Sequence, residues 1–408
     1  MNYKVKPYEI KHLDTAEEDS YYLLRLEDSG RQFKITEELK KVVPLLDGTR
    51  DISQIVKDLE LKEKIKTNKK EIEDLIKDHL KPLGIFEGLN ARKVDRMKMW
   101  FHINLIKGER LEFISKPFTF FFNKYILISL LSVFLAINTY LYFSKQLLFE
   151  GGSLDTKQIH FPLLVTMLIA MMLIHEFGHV VASFNFGLKP RFLGLGIYMF
   201  QPIIFTDTSD AWELKRGQRV VSDMAGIYFQ LILGAVLSAW MLFFGVNLTL
   251  LIVSVINIAA IVLNLDPFLR SDGYWAVTDY IGINNAHEKT FSYVKNLMFR
   301  KILRKETNFQ MPKLKPAARK FFIGYSFLYT FSIAFFTSLG VLYLFAVLKS
   351  SALNKNIDLM KSAYSQGNFA DLGAAFTGLV IGQLVPLLFL GLIIIRIVKY
   401  MIKTIKKR

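Results

Sequence analysis

Five stretches of the chain carry no Asp, Glu, Lys or Arg: 125–143, 161–174, 224–265, 321–348 and 372–395. A helix needs about 20 predominantly apolar residues to cross a bilayer. The run 224–265 is long enough for two passes, with a tight turn at Phe244, Gly245, Val246 and Asn247. The run 161–174 is short only because His175 and Glu176 interrupt it, and apolar character resumes from Val180 to Leu188. The pattern therefore predicts an α-helical polytopic membrane protein with about six transmembrane helices, near 125–144, 160–186, 222–244, 247–268, 321–348 and 372–396.

Residues 1–90 follow a different rhythm. Tyr21–Leu26 and Arg31–Ile35 flank Asp28, Ser29 and Gly30, a hairpin signal. Thr36 then opens a helix with Glu37 and Glu38 in its first turn and Leu39, Val42, Val43 and Leu46 on one face, ended by Gly48. A second helix follows Asp51 with Ile52, Ile55, Val56 and Leu59 inward, and a third, Lys69 to Leu83, repeats Ile72, Leu75, Ile76 and Leu80. Two strands and three helices make a small N-terminal α+β, winged-helix-like domain. Residues 91–124 form a juxtamembrane linker in which Arg92, Lys93, Arg96 and Lys98 mix with Trp100, Phe101 and Phe120–Phe122. That mixture suits either an anionic lipid surface or a linker helix packed on the first span. Residues 125–399 are the membrane domain and 400–408 a basic tail.

Charge turns the pattern into a topology. The net charge of +16 would be compatible with a nucleic-acid partner, but 47 of the 52 Lys and Arg fall in segments that six spans place on one side, against 5 in 144–160 and 349–371. This is the positive-inside arrangement, with both termini cytoplasmic, the lipid bilayer as partner and no nucleic acid expected. No cleavable leader is visible before the first apolar run, so the first span is expected to start export. Without cysteine, any metal site must use His and carboxylate ligands.

Inside the second span, MMLIHEFGHVVA places His175 and His179 four residues apart, on one face of a helix and one turn from each other. Glu176 follows the first His and stands beside a metal held by the pair, free to take a proton from bound water. Ionisable groups in a span cost about 2.5–3.5 kcal/mol each on insertion scales, which marks this cluster as functional. A hydrolytic metal centre needs a third protein ligand. Of the other histidines, His12, His79 and His102 belong to or adjoin the soluble segment, His160 sits at the far end of the span, and His287 lies on a loop. Asp266 and Asp272, at the cytoplasmic end of the fourth span, both lie at a compatible depth.

HEFGH in one span followed by NLDPFLRSDG two spans later resembles the site-2 protease family of intramembrane zinc metalloproteases. Asn264, Pro267, Asp272 and Gly273 match that family's second motif, while Leu269 replaces its frequent second Pro. The resemblance implies one zinc ion per chain held by His175, His179 and Asp272, with Glu176 as catalytic base and Asn264 on the substrate backbone or the developing oxyanion. It also implies a β-hairpin within Arg191–Thr206 whose edge can take an extended substrate, against an interfacial loop as the plain alternative. Gln230 stands near a point where the family often has Asn, and no role is assigned to it.

LLDGTRDISQIV and PLGIF, in the order of elements above, resemble the small peptide-binding domain of pyrroloquinoline quinone biosynthesis, a RiPP recognition element. That likeness implies peptide binding along the strand of Arg31, Phe33 and Ile35, and a domain whose removal leaves the zinc site intact. A winged helix that binds DNA and a simple cytoplasmic cap are the competing readings. Together the two resemblances imply a protease of the bacterial cell membrane that acts on a peptide substrate, in maturation or export of a ribosomally synthesised modified peptide. Regulated proteolysis of a membrane-bound signalling factor is one alternative, and a non-hydrolytic metal-binding transport or immunity protein is another.

Overall fold

The N-terminal domain is organised by its helix caps. Thr36 accepts from the Leu39 amide and starts α1 (Glu37–Val42). Reciprocal capping boxes, Asp51 with Gln54 and Asn68 with Glu71, start α2 (Ile52–Glu63) and α3 (Lys69–Asp74). Each such cap is worth about 1 kcal/mol. α3 continues through a wider turn at Leu75–Leu80 into α4 (Lys81–Leu83), which Gly84 ends in the left-handed region. These features come from a computed structural model that describes residues 3–89, 101–143, 159–198, 201–283, 286–301, 309–349 and 352–379.

The sheet has three antiparallel strands, β1 (Tyr8–Leu13), β2 (Tyr21–Leu26) and β3 (Gln32–Thr36), in that order. The expected hairpin is β2–β3, and β1 is an addition to it. The inward positions read from the sequence meet in one core: Val42, Val43, Leu46, Ile55, Leu59, Ile72, Ile76 and Leu80 are buried with Leu24, Leu26 and Ile35. Leu39, Ile52, Val56 and Leu75 pack against that core. Full burial of each aliphatic side chain is worth roughly 1.5–3 kcal/mol.

A second sheet departs from the expected linker. β4 (Phe101–Lys107) pairs with β5 (Phe192–Tyr198), which pairs with β6 (Gln201–Thr206), all antiparallel. The hairpin expected within Arg191–Thr206 is thus present, and the linker supplies its third strand. α5 (Gly108–Ser115) and a tight helical turn, Lys116–Phe122, then lead to α6 (Lys124–Phe143).

Among the described residues, four helices are long and apolar enough to cross a bilayer: α7 (Phe161–Asn185), α8 (Arg216–Phe244), α9 (Leu248–Leu265) and the part Pro316–Tyr343 of α12 (Pro316–Lys349). Gly108–Phe122 and Lys124–Tyr140 meet the same criterion jointly, with a bend of 78° between them. α8 begins eight residues before the apolar run that marks it, and α9 ends at Leu265. Between α9 and α12 lie α10 (Asp272–Ile281) and α11 (Ala286–Lys301), and α13 (Ala352–Ser365) and α14 (Phe369–Leu379) follow α12. Most of the expected sixth span, and the basic tail, lie outside the described residues.

The chain divides into two compact units. One comprises residues 1–286 with Gln310–Phe321, so the N-terminal domain, the second sheet and α5 to α10 belong together. The other comprises His287–Phe309 and the residues from Phe322 onward. Its inner contacts include Phe322, Thr290 and Ser326, all fully buried, and a stack of His287 on Tyr329.

Candidate metal centre

α7 carries the HEFGH segment, and its packing decides where the histidines point. Val180, Val181 and Ala182 are completely buried. Val180 meets Leu111 and Leu193, while Val181 meets Tyr228 and Phe229. Phe177 makes edge contacts with Phe118 and Phe229, and the Tyr228 hydroxyl donates to the Phe121 carbonyl at 2.8 Å. With those faces committed, His175 and His179 are turned between α8 and the start of α10.

Three atoms converge there. His175 Nε2 and His179 Nε2 lie 3.3 Å apart. Asp272 Oδ2 lies 3.1 Å from the first and 3.5 Å from the second. A tetrahedral ion with bonds of about 2.0–2.1 Å would hold its ligand atoms about 3.3 Å apart. The Glu176 carboxylate is close by, since a ligand atom from each of His175, Glu176 and His179 lies within 4.8 Å of the others.

The hydrogen bonding behind these atoms determines what they can hold. His179 Nδ1 stands 2.8 Å from the Ser222 carbonyl, and His175 Nδ1 stands 3.0 Å from the Gln230 side-chain oxygen. Those oxygens only accept, so each Nδ1 carries the hydrogen and each neutral imidazole turns a lone pair at Nε2 toward the other and toward Asp272. Asp272 Oδ2 is buried and has no hydrogen-bond partner. With both imidazoles neutral, three acceptors face one another without a donor, a conflict that a bound cation resolves. Space is left for it: a Cβ added to Gly226 of α8 would lie 2.6 Å from Nε2 of both histidines. The donor set and the gap suit a metal ion.

Gln230, to which the sequence assigns no role, sets the tautomer of a neutral His175. Its own backbone carbonyl accepts from the Asn257 side chain of α9 at 2.9 Å, and both residues are buried. An intramembrane amide is the signal that points to it. Gly178 of α7 allows close approach to α8, because a Cβ there would collide with the Ala225 carbonyl.

The two candidate aspartates are separated by the turn after α9. Asp266 accepts from the Phe268 amide at 2.7 Å and its carbonyl accepts from Ser271 at 2.9 Å, so it shapes that turn. Asp272 is the first residue of α10, and Gly273 lets the helix start directly against the Leu265 carbonyl. Asn264 is half-buried in the last turn of α9. β6 reaches the same place, where Thr206 donates to the Glu176 carbonyl at 3.4 Å. Other histidines are engaged elsewhere: the His160 amide donates to Thr249, and His12 packs on Tyr22.

The N-terminal positions behave differently from one another. Arg31 donates to the Leu83 carbonyl at 2.9 Å and lies over the Phe33 ring, while Ile35 is buried in the domain core. Because the Leu26 amide bonds the Arg31 carbonyl, the alternation of the ladder pairs Phe33 with Leu24 and Ile35 with Tyr22. The backbone groups of Gln32 and Lys34 are therefore the ones directed to the free edge of β3.

Comparison with known proteins adds no assignment: no family model, curated protein or solved structure matches this chain.

Proposed function

We propose that the protein is a membrane-embedded zinc metalloprotease. The observation that carries this reading is the triangle of His175 Nε2, His179 Nε2 and Asp272 Oδ2, with Glu176 beside it, where α7, a helix of bilayer-spanning length, meets the start of α10. His175, His179 and Asp272 would hold the ion. Zinc bound there would supply Lewis acidity, making a water at the site more acidic and polarising the scissile carbonyl. Glu176 takes the proton from that water and returns it to the leaving amine, so that water is added across the peptide bond to give a carboxylate and an amine. Asn264, at the end of α9, is assigned to the substrate backbone or the oxyanion. β6, an edge strand tied to α7 at Glu176, would align an extended substrate by strand addition.

The substrate proposed is a peptide, with maturation or export of a ribosomally synthesised modified peptide as the role and the bacterial cell membrane as the place. The free edge of β3 supports this, since Gln32 and Lys34 offer backbone groups to an added strand. Both termini would be cytoplasmic, by the distribution of Lys and Arg.

Detergent-purified protein tests the reading. One zinc per chain is expected, with cleavage of candidate short peptides followed by mass spectrometry. Glu176→Gln should keep the metal and lose turnover by 10²-fold or more, roughly the worth of a general base. Turnover retained in that variant removes the mechanism. Lys34→Pro should weaken peptide binding relative to Lys34→Ala, because only the first deletes an outward amide from an edge that tolerates Pro.

A further inference from the structure

We propose that Arg219 and the Leu13–Ala16 loop are positioning elements of the metal centre, so that the soluble domain is part of the scaffold holding the ligands. The inference rests on the metal-centre reading above. It starts from a guanidinium that is 3% exposed at the beginning of α8. Arg219 Nη2 donates to the Asp14 backbone carbonyl at 2.8 Å, and Nη1 donates to the Leu214 carbonyl at 2.9 Å. Nε lies 3.2 Å from Asp279 Oδ1, an ion pair without full hydrogen-bond geometry. One buried cation thus joins the N-terminal domain, α8 and α10.

Each of those contacts lies a short, stiff distance from a ligand. Ser222, whose carbonyl orients His179, is three residues along α8 from Arg219. Asp272 is on α10 with Asp279, two turns away. The loop is fastened to both helices independently as well. The Asp14 carboxylate accepts from the Arg216 amide at 3.0 Å and lies 3.4 Å from its guanidinium, which also donates to the Tyr280 carbonyl at 3.1 Å. At the end of α10, Gly282 takes a positive φ of 74° and backs onto Ala16, whose amide nitrogen would be 2.6 Å from an added Cβ. The Ala16 carbonyl accepts from the Lys315 amide at 3.0 Å.

A buried charge that loses one partner is left uncompensated, so this junction resists relative movement of the loop, α8 and α10. Zinc tolerates departures of only about 0.2 Å in its bonds, and changes behind a ligand commonly cost 10–100-fold in affinity. Displacing the loop would therefore be felt at His179 and Asp272 without touching either. Loss of the N-terminal domain would strip Asp14 from Arg219 and weaken metal binding, in contrast to a separable recognition module.

The test uses the full chain in detergent, with zinc affinity from competition against a chromophoric chelator and the visible spectrum of the cobalt-substituted protein. Arg219→Gln should lower zinc affinity about tenfold or more and shift the cobalt bands. Arg219→Lys should recover part of the loss, since it keeps the charge with fewer donors. Asp279→Asn should match Arg219→Gln, and the double variant should be less impaired than the sum of the two. Should Arg219→Gln not fold, Asp279→Asn and Arg219→Lys carry the comparison. Wild-type protein that binds no zinc overturns the metal-centre reading and this inference with it. Wild type that binds zinc, with folded variants of equal affinity and unchanged cobalt bands, overturns this inference alone.

Discussion

His175 Nδ1 lies 3.0 Å from the side-chain oxygen of Gln230, a contact that turns the opposite ring nitrogen toward His179 and Asp272. Neither residue could do this from its own helix alone, because the geometry arises where α7 crosses α8.

Gln230→Leu is therefore expected to lower zinc affinity by roughly 10–100-fold while α7 stays folded. Gln230→Glu, which keeps an acceptor, should lose less. Chelator competition on the two variants checks this, and equal affinities would leave Gln230 as packing only.

Gly226→Ala provides a steric test. The added methyl would occupy space 2.6 Å from both Nε2 atoms, so zinc stoichiometry should fall well below one per chain. Apo-protein melting should change less, because the overlap falls on the far ends of two imidazoles that can turn aside when no metal holds them, and Ala is the better helix former by about 1 kcal/mol. Elemental analysis and thermal melting of the same sample separate the two effects.

Asp272→Ala should weaken zinc binding far more than Asp266→Ala. The first removes an oxygen 3.1 Å from His175 Nε2, and the second loosens only the turn after α9. Parallel metal titrations decide the order, and the reverse order would mean that the third ligand lies elsewhere.

Docking of the N-terminal domain should depend on pH in a definite direction. Lys11 bonds Glu213 at 2.8 Å, Arg25 also pairs with it, and the Gln32 amide reaches Asp210 and Glu213 at 3.1 Å. Burial pushes the Glu213 carboxyl up, but Lys11 and Arg25 outweigh it and hold the group below its ordinary range. The Glu213 bond holds the Lys11 ammonium above its own ordinary range. A depressed carboxyl contributes stability above its unfolded pKa and loses it on acidification. A raised ammonium contributes below its unfolded pKa and loses it in alkali. The contribution should be flat through neutral pH, falling below about pH 4 and above about pH 10. Hydrogen exchange in β1 to β3 follows it, and Glu213→Gln should weaken docking by about 1 kcal/mol and flatten the acid limb. An unchanged acid limb in that variant would assign the dependence to other groups.

Much of this arrangement can be read along the chain, and the limits have physical causes. The helices of the N-terminal domain follow from apolar spacing and capping residues that lie within one window. β1 and β4 do not announce themselves locally, although YEIKHL and FHINLIK both largely alternate. In each case a strand needs a partner, and the partner of β4 lies in β5, far along the chain. His175 and His179 declare themselves by spacing, whereas the choice of Asp272 over Asp266 rests on a motif; in the fold Asp272 Oδ2 lies 3.1 Å from His175 Nε2 and Asp266 shapes the turn after α9. Ser222, Gly226 and Gln230 matter through the crossing of two helices, which no local pattern encodes. Arg219 is further removed still, with its carbonyl partner in Asp14 205 residues away.

α8 contributes no ligand, yet both ligand-bearing helices take their positions from it. Gly178 sets the approach of α7 to α8 at Ala225, and the Arg219–Asp279 pair ties α10 to α8. With a metal bound, the helix would act as a gauge of ionic radius. Thickening its contact with α7 by one methyl, as in Gly178→Ala, would carry both histidines away from Asp272 and move preference from zinc toward larger divalent cations such as manganese or cadmium.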